Sequence, residues 1–269
     1  MRIRHILPSL LLLLAGCSGL LLRSANEPTA AMSPTGAQID SGRITSSTGC
    51  KLDYRIYDAD TEDRSSLVVL AHGFLRSQER MQALAEAIAA SGIPVVTLDF
   101  CNSRIWNGRH AQNGLDMVAL AHALDAKRVI YAGFSAGGLA AVIAGRADAK
   151  AIGIITLDLV ETQGLGIRAA AGIDKPLLAI AGEPTNCNAL GNGQAVFAAT
   201  ENARIQRIES AGHCDFEAPT DVLCELICSD PDSDAPSLPI PSQRERIIAS
   251  TTLAIHALLE DNLQAWPDQ

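Results

Sequence analysis

The sequence predicts one α/β domain, built on a mostly parallel sheet with helices on both faces. Three observations carry this. Short apolar runs rich in β-branched residues alternate with segments of helical period. Once the N-terminal 40 residues are set aside, about 230 remain, enough for one such domain and short for two. Val129-Ile130-Tyr131-Ala132-Gly133-Phe134-Ser135-Ala136-Gly137-Gly138 reads as a strand that breaks sharply into a helix. Repeated strand-helix units call for parallel strands buried on both faces.

Taken in order, Arg43–Ser47 and Leu52–Asp58 are predicted as a leading antiparallel pair. Ser66–Ala71, with Leu67-Val68-Val69-Leu70, is a buried strand, and Glu79–Ala90, rich in Ala and Leu, is a helix. A strand over Ile93–Phe100 and a helix over Leu115–Ala126 follow. Arg128–Ala132 is the strand before the break, and Gly138–Ala147 the helix after it. Ala151–Leu157 and Pro176–Ala181 are apolar strands. A helix near Gln194–Asn202, a strand over Arg204–Glu209 and a last helix over Arg244–Leu263 complete the set. No internal repeat is present.

The N-terminus has a different character. Arg2 and Arg4 precede an apolar core, Ile6 to Leu14, and then comes Leu14-Ala15-Gly16-Cys17. That tetrapeptide resembles the lipobox of bacterial lipoproteins at all four positions. The resemblance implies that residues 1–16 are a signal peptide and that Cys17 becomes the lipidated first residue of the mature chain, anchored to a membrane. Ser18, which is not acidic, implies the outer membrane. Ser24–Asp40, with Pro28, Pro34 and Gly36 and few large apolar side chains, reads as a tether. Its span is roughly 20 to 25 Å. The expected organisation is a signal over 1–16, a lipidated and flexible segment over 17–40, and the folded domain over 41–269.

Twenty-one Lys and Arg against 30 Asp and Glu give a net charge of −9, and loss of Arg2 and Arg4 takes it to −11. The basic residues are scattered, which excludes nucleic acid as a partner. Cys17 aside, six cysteines remain: Cys50, Cys101, Cys187, Cys214, Cys224 and Cys228. An even number in an exported chain predicts disulfides, without saying which. No metal site is expected, because Cys224 and Cys228 are four apart with no CxxC pair beside them. Asp230, Asp232 and Asp234 alternate like calcium ligands, but the stretch lacks the glycine and closing glutamate of such a loop and reads as solvated.

In a parallel sheet, reactive groups collect at the carboxyl ends of strands. Ser135 sits at the apex of the Gly133-to-Gly137 bend, where flanking glycines keep Cβ atoms away from neighbouring backbone and the hydroxyl points out of the sheet. The helix behind it aims free N–H groups at whatever Ser135 attacks. His72-Gly73-Phe74 follows another strand, and the N–H groups of Phe74 and Ala136 are the candidate oxyanion donors. His72 is expected to hydrogen-bond its own loop. His213, in Gly212-His213-Cys214-Asp215, is the one histidine of six at a strand end downstream of the serine, and so the candidate base. The acid that holds the imidazole is Asp158, after Leu157, or Glu183, after Gly182. Residue physics leaves both open.

These residues together resemble an α/β-hydrolase from about Ser66 to Leu259. Within that superfamily the chain is most similar to the chlorophyllase and bacterial polyester-hydrolase branch, through His72-Gly73-Phe74, Gly133-Phe134-Ser135-Ala136-Gly137-Gly138, Leu157-Asp158-Leu159-Val160 and Gly212-His213-Cys214-Asp215. In chlorophyllases an Asp in a segment like the third supplies the acid, which favours Asp158 over Glu183. Phe134 and Ala136 replace the His and Arg usual there, so the pigment substrate is not carried over. Lipases of the superfamily insert a lid after this strand, but only about 16 residues separate Asp158 from Lys175, which leaves no room for a lid domain. Phe74, Phe134 and Trp106 are candidates to line the substrate site.

The expected function is a serine esterase for short, medium-chain or polymeric carboxylic esters. It needs no cofactor and acts as a monomer. A thioesterase and a lipase or polyester hydrolase are the alternatives among enzymes. A binding lipoprotein on the same scaffold is the alternative outside them.

Overall fold

The computed structural model describes residues 31–32, 38–58, 65–101, 108–228 and 242–267. The stretch expected to be a signal peptide, Cys17, Trp106 and Asp230, Asp232 and Asp234 lie outside the described residues.

In chain order the elements are β1 (Ala31–Met32), β2 (Gln38–Thr45), β3 (Lys51–Asp58), β4 (Ser66–Ala71), α1 (Gln82–Ala90), β5 (Val95–Leu98), α2 (His110–Ala123), β6 (Arg128–Phe134), α3 (Ala136–Ala147) and β7 (Ala151–Leu157). Then come α4 (Leu165–Ala170), β8 (Leu177–Ala181), α5 (Gln194–Phe197), β9 (Ala203–Arg207), α6 (Val222–Cys228) and α7 (Gln243–Leu259). They form one sheet of order β1-β2-β3-β5-β4-β6-β7-β8-β9. From β5 through β9 all pairs are parallel, and β1, β2 and β3 extend it as antiparallel strands.

The central strands explain the order. On β4, Leu67, Val69 and Ala71 face one core, and Val68 and Leu70 face the other. β6 does the same, with Val129 and Tyr131 on one side and Ile130, Ala132 and Phe134 on the other. A strand whose two faces are both apolar is stable only between two helical layers. Those layers are α2, α3, α4 and α5 on the first face, and α1 and α7 on the second. α7 opens with a capping box in which Ser242 Oγ accepts from Glu245 N–H at 3.3 Å and the Glu245 carboxylate accepts from Ser242 N–H at 2.7 Å.

Several expected boundaries move. The strand expected at Arg43 begins at Gln38, and Ala31–Met32 pairs with it, so the sheet reaches back into the stretch read as tether. Backbone pairing supplies what that polar stretch lacks in apolar surface. α2 begins at His110 rather than Leu115. Asn113 Nδ2 donates to Gly108 O at 3.0 Å, and a Cβ on Gly114 would stand 2.6 Å from the Ile143 side chain, so this turn is shaped by its close approach to α3 rather than by propensity. The helix expected near Gln194–Asn202 ends at Phe197, and α7 ends at Leu259. α4 and α6 were not expected.

Candidate active site

β6 leaves the sheet at Phe134, and Ser135 turns the chain at φ 55° and ψ −120°. A non-glycine residue there costs about 1–3 kcal/mol and persists only when its surroundings fix it. Ser135 N–H donates to Leu157 O at 2.9 Å, and its carbonyl accepts from Gly138 N–H at 3.0 Å. The flanking glycines make room: a Cβ on Gly133 would lie 2.3 Å from Gly137 O, and one on Gly137 2.4 Å from His72 O. Ala136, the first residue of the 12-residue α3, has an N–H with no partner inside the helix.

The chain brings His213 and Asp158 to this serine. His213 opens a short 3-10 turn, His213–Phe216, beyond β9. Its Nε2 lies 3.1 Å from Ser135 Oγ, and its Nδ1 lies 2.5 Å from Asp158 Oδ2. All three side chains are withdrawn from water, at 8%, 7% and 4% exposure for Ser135, His213 and Asp158. The Phe134 ring sits 4.6 Å from the imidazole, centroid to centroid, and stacks on Phe216 beyond.

Glu183 does not reach the imidazole. It follows β8, one strand farther from Ser135 than β7, and its Oε1 accepts instead from Ser210 N–H at 3.3 Å. Asp158 closes β7 with φ 44°, its own N–H bound to Ile180 O at 2.8 Å. Two donors hold its carboxylate. Gly182 N–H reaches Oδ1 at 3.0 Å, and Asn188 Nδ2 stands 3.2 Å from each oxygen. Asn188 is itself buried, and its Oδ1 accepts from the N–H groups of Thr185 and Gly191 at 2.8 and 2.9 Å. Sequence reasoning missed Asn188, since an asparagine in a loop carries no pattern of its own.

The second loop lies directly against the serine: a Cβ on Gly73 would stand 3.3 Å from Ser135 Cβ. His72 fixes its orientation. His72 Nδ1 lies 2.7 Å from Gly73 O, while Phe100 N–H donates to Nε2 at 3.2 Å. The ring is therefore a neutral tautomer with its proton on Nδ1. In a trans peptide the C=O and N–H point opposite ways, so anchoring Gly73 O turns the Phe74 N–H away from His72. Among the described residues that N–H has no acceptor, and neither does that of Ala136. Burial holds the His72 imidazole below its ordinary value of 6.5. The hydrogen bond to Gly73 O and the Asp99 carboxylate 3.9 Å away pull the other way, and burial outweighs both.

A cavity of about 340 Å³ opens beside Ser135 and His213, walled by Phe74, Leu75, Phe134 and Ile227. That is near the small end of the roughly 300–1,000 Å³ typical of ligand pockets. Arg76 and Glu217 also touch it. They form a two-pronged pair at 2.7 and 2.6 Å, with Glu217 fully buried, and Arg76 reaches Asp221 at 3.0 Å. The hydrogen bonds that Arg76 donates to Glu217, above all, raise the guanidinium pKa further. The remaining wall is sulfur. The cysteines pair as Cys50–Cys101, Cys187–Cys228 and Cys214–Cys224, and Cys187, Cys224 and Cys228 line the cavity. The Sγ atoms of Cys214, Cys224 and Cys228 lie within 4.8 Å of one another, but as disulfide sulfurs they offer no thiolate to a metal.

The connection after β7 holds only the six-residue α4, and no lid domain is inserted there. The element that does wall the cavity comes later, in the long connection between β9 and α7. It is α6, through Cys224, Ile227 and Cys228.

No protein-family model matches the chain, and no curated protein matches it. Among solved structures it is similar to the esterase domain of a Rhodothermus marinus protein, with a TM-score of 0.52 and 15% identity over 65% of this chain and 89% of that one. It is also similar to a protein from Thermoplasma acidophilum described as a predicted CIB-like hydrolase, with a TM-score of 0.61 and 14% identity over 82% of this chain and 99% of that one. Identities this low speak for the fold. The chain has the α/β-hydrolase fold, a mostly parallel sheet covered by helices on both faces.

Proposed function

We infer that the chain is a serine hydrolase of carboxylic esters, with Ser135 as nucleophile, His213 as base and Asp158 as the acid that holds it. One observation carries the reading: a serine at a strained strand-to-helix turn lies 3.1 Å from an imidazole whose other nitrogen lies 2.5 Å from a buried carboxylate. His213 Nε2 takes the Ser135 proton as Oγ attacks the ester carbonyl. The Nδ1–H bond to Asp158 fixes the tautomer and stabilises the imidazolium. The carbonyl oxygen, now negative, rests on the N–H groups of Phe74 and Ala136. His213 returns its proton to the leaving alkoxide, and an acyl group remains on Ser135. Water then repeats the sequence, with His213 as base and Ser135 as leaving group.

The cavity narrows the ester. Its wall is apolar, and its one guanidinium is already matched to Glu217, so an uncharged group enters without leaving a buried charge unpaired. The small volume fits one short or medium unit of a substrate, and the rest of a longer or polymeric chain lies outside. Similarity to the chlorophyllase and polyester-hydrolase branch supports the same class. In this reading residues 1–16 are a signal peptide, and Cys17 carries a lipid that anchors a monomeric domain to the outer membrane.

The test is intact mass and peptide mapping of the protein without residues 1–23 after treatment with a fluorophosphonate. A single adduct on Ser135, abolished in His213→Ala, is the expected result, and a folded protein that takes up no adduct sinks the hydrolase. Lipidation is read separately: Cys17→Ala moves the full-length protein from the membrane to the soluble fraction. Unchanged membrane retention removes the anchor from the proposal.

A further inference from the structure

α6 is tied into the site by covalent and ionic attachments. Among its described side chains only Cys224 is buried, while Val222, Leu226 and Ile227 are 75%, 78% and 66% exposed. A helix of only seven residues is marginal without tertiary attachments, and the described side chains other than Cys224 supply little buried surface. Its attachments are of another kind. Asp221, just before it, caps Cys224 N–H at 2.9 Å and pairs with Arg76 and Arg80 at 3.0 and 2.8 Å. Cys224 and Cys228, one turn apart and so on one side of the helix, each carry a disulfide.

Both disulfides end beside the triad. Cys214, the partner of Cys224, is the residue after His213, and Cys187, the partner of Cys228, is the residue before Asn188. The links close on themselves. From His213 the chain steps to Cys214, crosses a disulfide to Cys224, passes one helical turn to Cys228, crosses a second disulfide to Cys187 and steps to Asn188. Asn188 bonds Asp158, and Asp158 bonds His213. We propose that this ring makes α6 a positioning element for the reaction, its two disulfides setting the separation between the loop of the base and the loop that holds the acid. The proposal rests on the hydrolase reading. The third disulfide, Cys50–Cys101, lies outside the ring, because neither half-cystine adjoins a residue bonded to His213 or Asp158; Cys101 instead follows Phe100, whose N–H meets His72.

Chain entropy supplies the control. Cys187–Cys228 and Cys50–Cys101 close loops of 41 and 51 residues, so constraint of the unfolded chain makes their contributions to stability nearly equal. Only the first belongs to the ring. Accordingly C187A/C228A and C50A/C101A lower the urea midpoint by similar amounts. On a soluble p-nitrophenyl ester, kcat and the rate of fluorophosphonate capture by Ser135 fall by about tenfold to a hundredfold in C187A/C228A, and by no more than about threefold in C50A/C101A. KM stays within about threefold, and the downfield proton resonance of the His213–Asp158 bond weakens in that variant alone. Equal kcat in the two variants overturns the proposal.

Should C187A/C228A fail to fold, the parent protein is titrated with a dithiol, which gives up two electrons and two protons per disulfide, is itself oxidised to a disulfide, and leaves two protein thiols. Capture that slows while far-UV circular dichroism is unchanged supports the ring. Capture that persists after both bonds are reduced, or that falls only in step with loss of the fold, overturns it. An untreated parent that captures no probe refutes the hydrolase instead, and so the two failures are told apart.

Discussion

The centre of the sheet and the α6 region are held by different forces, although both border the cavity beside the same serine. In β4 and β6, side chains such as Val68, Leu70, Ile130 and Tyr131 have essentially no contact with water. Each fully buried aliphatic side chain there contributes about 1.5–3 kcal/mol, and many neighbours share in placing it. α6 has one described buried side chain, and two disulfides and a cluster of ion pairs do the rest. Burial is cumulative, so the loss of one member is tolerated. A bond is single, so its loss is felt where it ends. The proposed nucleophile stands on the first kind of support, and the proposed base and acid lean on the second.

The largest effect is expected where the two regions meet. Asp158→Asn lowers kcat on the soluble ester by roughly ten-thousand-fold, because the amide no longer imposes the required tautomer. Wild-type turnover in that variant would detach Asp158 from the chemistry. Arg76→Ala, measured by urea unfolding, costs about 3–5 kcal/mol, since Glu217 would be left buried without a partner. Leu70→Ala, which touches only the sheet core, costs about 2–5 kcal/mol and leaves KM unchanged. Were the α6 side held by burial like the sheet, Arg76→Ala would cost far less than Leu70→Ala, and that result would erase the contrast.

The dependence on pH is smaller. The folded pKa of His72 lies below its ordinary 6.5 because burial disfavours the imidazolium. Between those two values the unfolded chain binds more protons than the native one, so stability rises with pH. This contribution is complete above about 6.5 and is lost as pH falls through the folded value. His72→Gln, compared with the parent by thermal unfolding across this range, flattens the slope. The smallest change is expected at Val222→Ser and Leu226→Ser, within about 0.5 kcal/mol of the parent, because both side chains are already in solvent.

Legibility in the sequence follows the same division. β4 and β7 were readable to the residue, since a strand buried on both faces writes its bounds as an unbroken apolar run. Ser135, His213 and Asp158 were readable as polar groups at strand ends, and the structure brings their side chains together. The preference for Asp158 over Glu183 came from the family resemblance and not from residue physics, because the choice depends on which strand lies next to β6. α6 escaped notice for a physical reason: Val222-Leu223-Cys224-Glu225-Leu226-Ile227-Cys228 shows no one-sided period, and what positions it are partners 10 and 41 residues away in sequence. Asn188 belongs with it, an amide whose meaning comes only from the carboxylate beside it. The β2 start at Gln38 and the α2 start at His110 were shifted by pairing and close packing, which local composition does not record.

Three absent atoms gauge the distance between the two loops that flank the serine. Gly133 and Gly137 let backbone meet backbone at the turn, and Gly73 lets the opposing loop reach the Ser135 side chain. A tolerance kept by missing Cβ atoms asks little of the remaining positions. The architecture that these close approaches permit is also found in neighbours that match the chain at about one residue in seven.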